Sequence, residues 1–315
     1  MEQYNMNSSI PSSMFEPAKR EQDGDKITRP TIGYWADVFR RLRQNKLAMT
    51  GLVLIIIMVI LAFVGPMITG TDYATTDLPN MNQNPSSKSF FGTDILGRDL
   101  FTRVCYGIRY SILIGVLAAA FDFFVGVTYG GIAGMAGSKL DTLMMRIAEI
   151  VYAIPYMLIV ILISVTLSNE QGASLLTLVL AMSITGWVPM AIMVRGQVLQ
   201  LREHEYALAS QSLGADKGYI LRKHILPNTL GPILVNITLT VPRAIFAEAT
   251  LSFMSLGLQP PQPSLGVLSN DGLEVMGAGI FYQIFFPALF ISLIMFSFNV
   301  LGDGLRDALD PRLRK

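Results

Sequence analysis

Charge is what this chain has least of: 15% of its 315 residues are Asp, Glu, Lys or Arg, against 51% hydrophobic. That balance excludes a soluble domain with an ordinary solvated surface. A formal net charge of +1 provides no broad basic field, so bulk electrostatics excludes nucleic acid as a partner. A single cysteine, Cys105, rules out an intrachain disulfide and a cysteine-built metal centre. The two histidines, His204 and His224, are too few for a zinc site of ordinary type, and no metal is expected. The sequence also lacks a Gly-x-Ser-x-Gly elbow and any other nucleophile constellation, so no catalytic residue is expected. A phosphate-cradling loop of Gly, four residues, Gly-Lys-Ser/Thr is missing too. The nearest stretch, "GGIAGMAGSK" (Gly130 to Lys139), has the order Gly-Ser-Lys and continues an apolar run, where its glycines serve packing.

What the chain has in abundance is apolar runs long enough to cross about 30 Å of hydrocarbon at roughly 1.5 Å per residue. Six are expected as helical spans: Leu47 to Ile68, about Tyr110 to Ala136, Ile147 to Leu167 with Pro155 inside it, Leu175 to Val194, Leu230 to Leu251, and Ile280 to Leu301. The fold class is therefore all-α and polytopic. The first run follows 46 mostly polar residues, too many for the leading part of a secretory signal, and is expected to be retained as a span. The resulting division is an amino-terminal tail over 1–46, a first helix over 47–68, an outer loop over 69–109, a five-helix core over 110–301 and a tail over 302–315. Gly126, Gly130 and Gly134 recur every four residues in the second span. They share one face and invite close approach of another helix.

Lys and Arg set the orientation. The amino-terminal tail carries eight, the connection between spans 4 and 5 five, the carboxyl tail four and the turn between spans 2 and 3 two; the opposite side has Lys88, Arg98 and Arg103. By the positive-inside rule both termini and the 4–5 connection face the cytoplasm. That connection, 195–229, contains "HEYALASQSLGADKGYILRKHILPN". It reads as helix, bend at Gly214, then a short helix ended by Leu226-Pro227. Ala207, Ala209, Ser210 and Gly214 cluster small side chains there, where two backbones come close.

A charge inside the bilayer is costly and calls for a role. Asp122 in the second span and Arg243 and Glu248 in the fifth are candidates for lining a path or bracing a neighbouring subunit. Arg146 and Glu149, three apart, are expected to pair with each other as structural anchoring. A self-contained secondary transporter with Asp122 or Glu248 as a proton relay is the competing reading, and it calls for two related halves. No convincing internal repeat is found.

The connection between spans 4 and 5 resembles the cytoplasmic coupling motif of ATP-binding-cassette importer permeases: Glu-Ala-Ala, three residues, Gly, nine residues, then Ile-x-Leu-Pro. Ala209, Ser210, Gly214, Leu226 and Pro227 fall on that spacing, with Leu208 in place of Glu, Ser210 in place of the second Ala and His224 in place of Ile. "LGAD" and "RKHILPN" are similar to the dipeptide, oligopeptide and nickel branch. "FFGTDILGRDLFTRVCYGIRYSILIG", "EATLSFMSLGLQPPQPSLG" and "GDGLRDALDPRLRK" extend the resemblance over nearly the whole chain. With "FRRLRQNKLAM" the sequence is most similar to oligopeptide permease C subunits of Gram-positive bacteria. The resemblance implies a type I importer fold in which Glu205, Ala209, Ser210, Gly214, Ala215, His224, Leu226 and Pro227 belong to a coupling helix. It also implies a homologous B-type permease, two ATPase subunits that bind ATP and Mg, and an extracytoplasmic peptide-binding protein as partners, with lipid around them. This chain itself would bind no cofactor. Dipeptides and nickel remain alternative cargoes.

Overall fold

The computed structural model describes residues 33–167 and 174–310. Contacts divide the chain into Met1–Asp37 and Val38–Lys315. Among the described residues every regular element is helical. The order is α1 (Tyr34–Gln44), α2 (Lys46–Thr69), α3 (Leu100–Met135), α4 (Ser138–Ala153), α5 (Tyr156–Leu167), α6 (Leu175–Leu201), α7 (Glu205–Ser212), α8 (Lys217–Ile220), α9 (Leu226–Phe253), α10 (Leu265–Met276) and α11 (Tyr282–Leu309). Five of these helices are long and apolar enough to cross a membrane, counting α8 to α9 as one continuous rod. The pair α4 and α5 qualifies only when taken together, and it is bent by 79°.

The bend departs from the straight third span expected over Ile147 to Leu167. Its cause is Pro155, which disfavours helical backbone at the residue before it. Ile154 accordingly adopts φ −76° and ψ 130°, ending α4. Other boundaries move as well. The second span begins at Leu100 rather than Tyr110, capped by the Asp99 carboxylate on the Thr102 N–H at 2.8 Å. At roughly 1.5 Å per residue α3 is about 54 Å long, well beyond the roughly 30 Å hydrocarbon thickness. The sixth span runs on to Leu309, and the segment after α9 holds the half-buried helix α10.

The central packing is α3 on α6. A Cβ at Gly126 would lie 2.6 Å from the Met190 Cβ, one at Gly134 2.7 Å from the Val198 Cβ, and one at Gly130 would strike the Ala191 carbonyl. The glycine face expected from sequence is thus pressed against another helix, the arrangement that allows tight contact without a hydrophobic drive between helices. On the other side of α3, α10 is wedged against α9, where a Cβ at Gly266 would lie 2.6 Å from the Ala249 Cα. Val38 and Leu42 of α1 pack with Leu234 and Val235 of α9 and Leu305, Ala308 and Leu309 of α11.

Several polar groups in this apolar frame are paired in ways that hold helices together. Pro66 within α2 has no N–H for the Ala62 carbonyl four residues earlier. Arg109 of α3 donates to that carbonyl at 2.8 Å, its guanidinium held between the Phe63 and Tyr106 rings at 4.5 and 4.4 Å. At the start of α3, Arg103 is 1% exposed. It pairs with Asp94, which also takes Arg98 at 2.6 Å, and reaches Asp271 of α10 at 3.3 Å. That cluster ties the segment before α3 to α10.

Candidate functional site

Two features stand out, and α6 and α9 run between them. The first is a cavity of about 470 Å³ walled by α3, α6, α9 and the α4–α5 bend. Near the middle of α6, Gly186 leaves room for the Asp122 carboxylate of α3; a Cβ there would lie 2.6 and 2.7 Å from its two oxygens. Asp122 is 6% exposed and its Oδ1 accepts no hydrogen bond. The Thr185 hydroxyl beside it is also buried without a partner. Pro189, on the same wall, has no N–H to give the Thr185 carbonyl. Arg243, with Asn236 and Thr240, lines the cavity from α9. Among the described residues no ion pair joins Asp122 to Arg243.

The structure therefore gathers Asp122 and Arg243 around one space and sets Glu248 apart. Glu248 is fully buried. It accepts from Ser111 of α3 at 3.1 Å and Ser252 of α9 at 2.6 Å, and Ser264, the N-cap of α10, donates to Ser252 at 3.3 Å. This is an internal junction of three helices, away from the cavity wall. Arg146 and Glu149 pair with each other at 2.8 Å on the surface, 73% and 54% exposed, a geometry of little energetic weight. A stronger link, unforeseen from sequence, joins α4 to α6: Asp141 accepts two bonds from Arg195 at 2.5 and 2.6 Å. Fifty-four positions separate the two residues, and each alone resembles an ordinary helix-end charge.

The second feature is the connection from α6 to α9. Helix α7 closes in a Schellman turn: the Ala215 N–H donates to the Ser210 carbonyl at 3.1 Å and the Gly214 N–H to Gln211 at 2.9 Å. Gly214 takes the left-handed φ of +87° that this turn requires. Asp216 then caps α8 by accepting from Gly218 and Tyr219 at 2.9 and 3.2 Å. The bend at Gly214 lies where sequence places it. Within this chain nothing lies within 4 Å of a Cβ on Gly214. Of the expected small-residue cluster, only Ala207 is buried, while Ala209 and Gly214 face outward with Glu205 and Pro227, and Ser210, Ala215, His224 and Leu226 are half-buried.

Leu226-Pro227 does not end the second helix either. Residues Leu221–Ile225 form a π turn in which the Leu226 N–H bonds the Leu221 carbonyl five residues back. The wider turn accommodates the proline ring, and the chain continues directly into α9. An aromatic row holds the two arms together, from His204 to Tyr206 at 5.6 Å, Tyr206 to His224 at 6.3 Å and His224 to Tyr219 at 5.8 Å. Partial shielding keeps the Tyr206 phenol above its ordinary pKa, so it remains neutral. The result is a knob with exposed apolar side chains: Leu213 is 90% exposed, and Leu208, Tyr206 and Tyr219 are exposed too.

Comparison with known proteins gives this geometry a context. Residues 126–315 match the family described as binding-protein-dependent transport system inner membrane component, and residues 33–85 match the N-terminal transmembrane domain of oligopeptide transport permease C. The chain is 50% identical to the oligopeptide transport system permease protein OppC of Bacillus subtilis, over 98% of this chain and 99% of that protein. It is also 50% identical to the dipeptide transport system permease protein DppC of Bacillus subtilis, over 94% of this chain and 92% of that protein. Identity to the oligopeptide transport system permease protein OppC of Escherichia coli is 40%, over 93% and 96% of the two chains.

Proposed function

The chain belongs to the family of binding-protein-dependent transport system inner membrane components, and on that premise we propose that it forms half of a membrane path for oligopeptides. Its relatives bear peptide-transport names at substantial identity over nearly their full length. The other half of the path is a homologous B-type permease. Two separate ATPase subunits bind ATP and Mg from the cytoplasmic side, and a peptide-binding protein delivers cargo from the other. The chain performs no chemistry of its own.

The single observation that supports this reading is the knob between α6 and α9. A group of exposed apolar side chains is costly in water and marks a docking surface. Its two arms are the ends of α6 and α9, which wall the cavity with Asp122 and Arg243. A push on the knob therefore moves two cavity walls together, as expected when a distant nucleotide event shifts packed helices between discrete arrangements. Lys and Arg are concentrated on the knob side, so the knob and both termini are cytoplasmic.

Leu213→Asp tests the docking role. The side chain is almost wholly exposed, so the substitution leaves this chain's own packing unchanged. On purification from native membrane in mild detergent, the variant is expected to retain the second permease and lose most of the ATPase subunits, as read by mass spectrometry. Full ATPase recovery with normal uptake would remove the knob from the coupling role.

A further inference from the structure

Asp122 has no use in the coupling of knob to cavity. A carboxylate is expensive within an apolar bundle and is kept where it faces a partner or water. Among the described residues no cation pairs with it, and Oδ1 is buried without a hydrogen bond. The space next to it is deliberate in sequence terms, since any residue larger than Gly186 would occupy the carboxylate's position. The neighbouring free groups are also acceptors. Thr185 offers an unpartnered buried hydroxyl, and Pro189 leaves the Thr185 carbonyl without its helical donor. Asp122 and Thr185, from α3 and α6, thus border a cavity of about 470 Å³, within the range of about 300–1,000 Å³ usual for small-molecule sites. Arg243 supplies the opposite sign from α9.

We infer that this cavity recognises a primary ammonium group, the amino terminus of the peptide in transit, at Asp122 and Thr185. An ammonium has three N–H donors and no acceptor, which matches a carboxylate, a hydroxyl and a carbonyl. The separate acidic and basic walls suit a dipolar cargo, and an unpartnered carboxylate can bind each successive molecule without first releasing an internal cation. The inference rests on the peptide reading given above.

The test uses the complete importer with both permeases, the ATPases and the binding protein, reconstituted in proteoliposomes. A peptide and its des-amino analogue are each supplied at concentrations that saturate the binding protein, and uptake per ATP hydrolysed is compared. Wild type is expected to favour the free-amine peptide. Asp122→Asn should reduce that preference by about tenfold, the scale of one lost charge-assisted hydrogen bond. Thr185→Val should narrow it in the same direction; if Asp122→Asn does not fold or insert into the membrane, an unaltered preference in Thr185→Val overturns the inference. An equal fall for both peptides in Asp122→Asn, or no change in either, also overturns it. So does release of the second permease by Asp122→Asn, which would make that subunit the source of the missing cation. A wild-type importer that moves neither peptide while its ATPase responds would defeat the peptide reading itself, and this inference with it.

Discussion

Glu248 shows how far a single residue can be read before its neighbours are known. Its charge inside an apolar run marks it as requiring partners, but besides Ser252, one turn along the same helix, they involve Ser111 and, through Ser252, Ser264, individually unremarkable serines of other segments. Only the packing of α3 and α10 against α9 brings Ser111 and Ser264 to this site. Glu248→Leu, of similar bulk, would strand the Ser111 and Ser252 hydroxyls at a cost of about 1–3 kcal/mol each. The purified complex is expected to melt at lower temperature, with α10 loosened. Glu248→Gln keeps one acceptor oxygen and should melt between the two while transporting near normally, because residue 248 is not on the cavity wall. A Gln variant that melts like wild type yet fails in uptake would return Glu248 to the path. Asp122 was marked by the same argument, and for it the structure supplies space in place of partners. Gly186 and Pro189, which create that space, appear in the sequence only as interruptions of the fourth apolar run.

At the scale of elements, helix existence follows from apolar runs and helix contact from glycine spacing, while helix ends depend on tertiary partners. The start of α3 lay hidden because Arg103 looks like a loop residue until Asp94 and Asp271 neutralise it. The π turn before α9 hid the passage through Pro227 for a similar reason, since the proline reads as a stop wherever the preceding turn is an ordinary α turn. The α3–α6 contact is legible and open to a controlled test. A Cβ at Gly130 meets the Ala191 backbone, which cannot move without moving α6, whereas one at Gly131 meets only the Leu221 side chain at 3.3 Å. Gly130→Ala is therefore expected to destabilise by about 1–3 kcal/mol, as overpacking does. Gly131→Ala should be neutral or slightly stabilising through improved helix propensity. Thermal unfolding of the two purified variants separates them. Equal melting temperatures would show that α3 and α6 are not in backbone contact there.

For the whole molecule, the number of crossings fixes which faces share a compartment, and the α4–α5 pair decides it. If the 79° bend still leaves the pair as one crossing, three crossings separate the exposed outer segment around Ser87 from the knob around Ser212, and the two lie on opposite sides. If the pair enters and returns on one side, only α3 and α6 intervene, and both segments lie on the same side. The distribution of Lys and Arg supports opposite sides. The chain is well suited to a direct measurement because its one native thiol, Cys105, is fully buried and should stay silent toward a membrane-impermeant maleimide. Ser87→Cys and Ser212→Cys, both at exposed positions, are expected to label in opposite senses. The first should react in intact cells, and the second only in inverted vesicles or after permeabilisation. Labelling of both from outside would make the α4–α5 pair re-entrant, leave five crossings, and place the knob out of reach of any cytoplasmic ATPase. Opposite labelling fixes six crossings and sets the Asp122 cavity, near the middle of α6, between the compartment that delivers cargo and the one that drives its release.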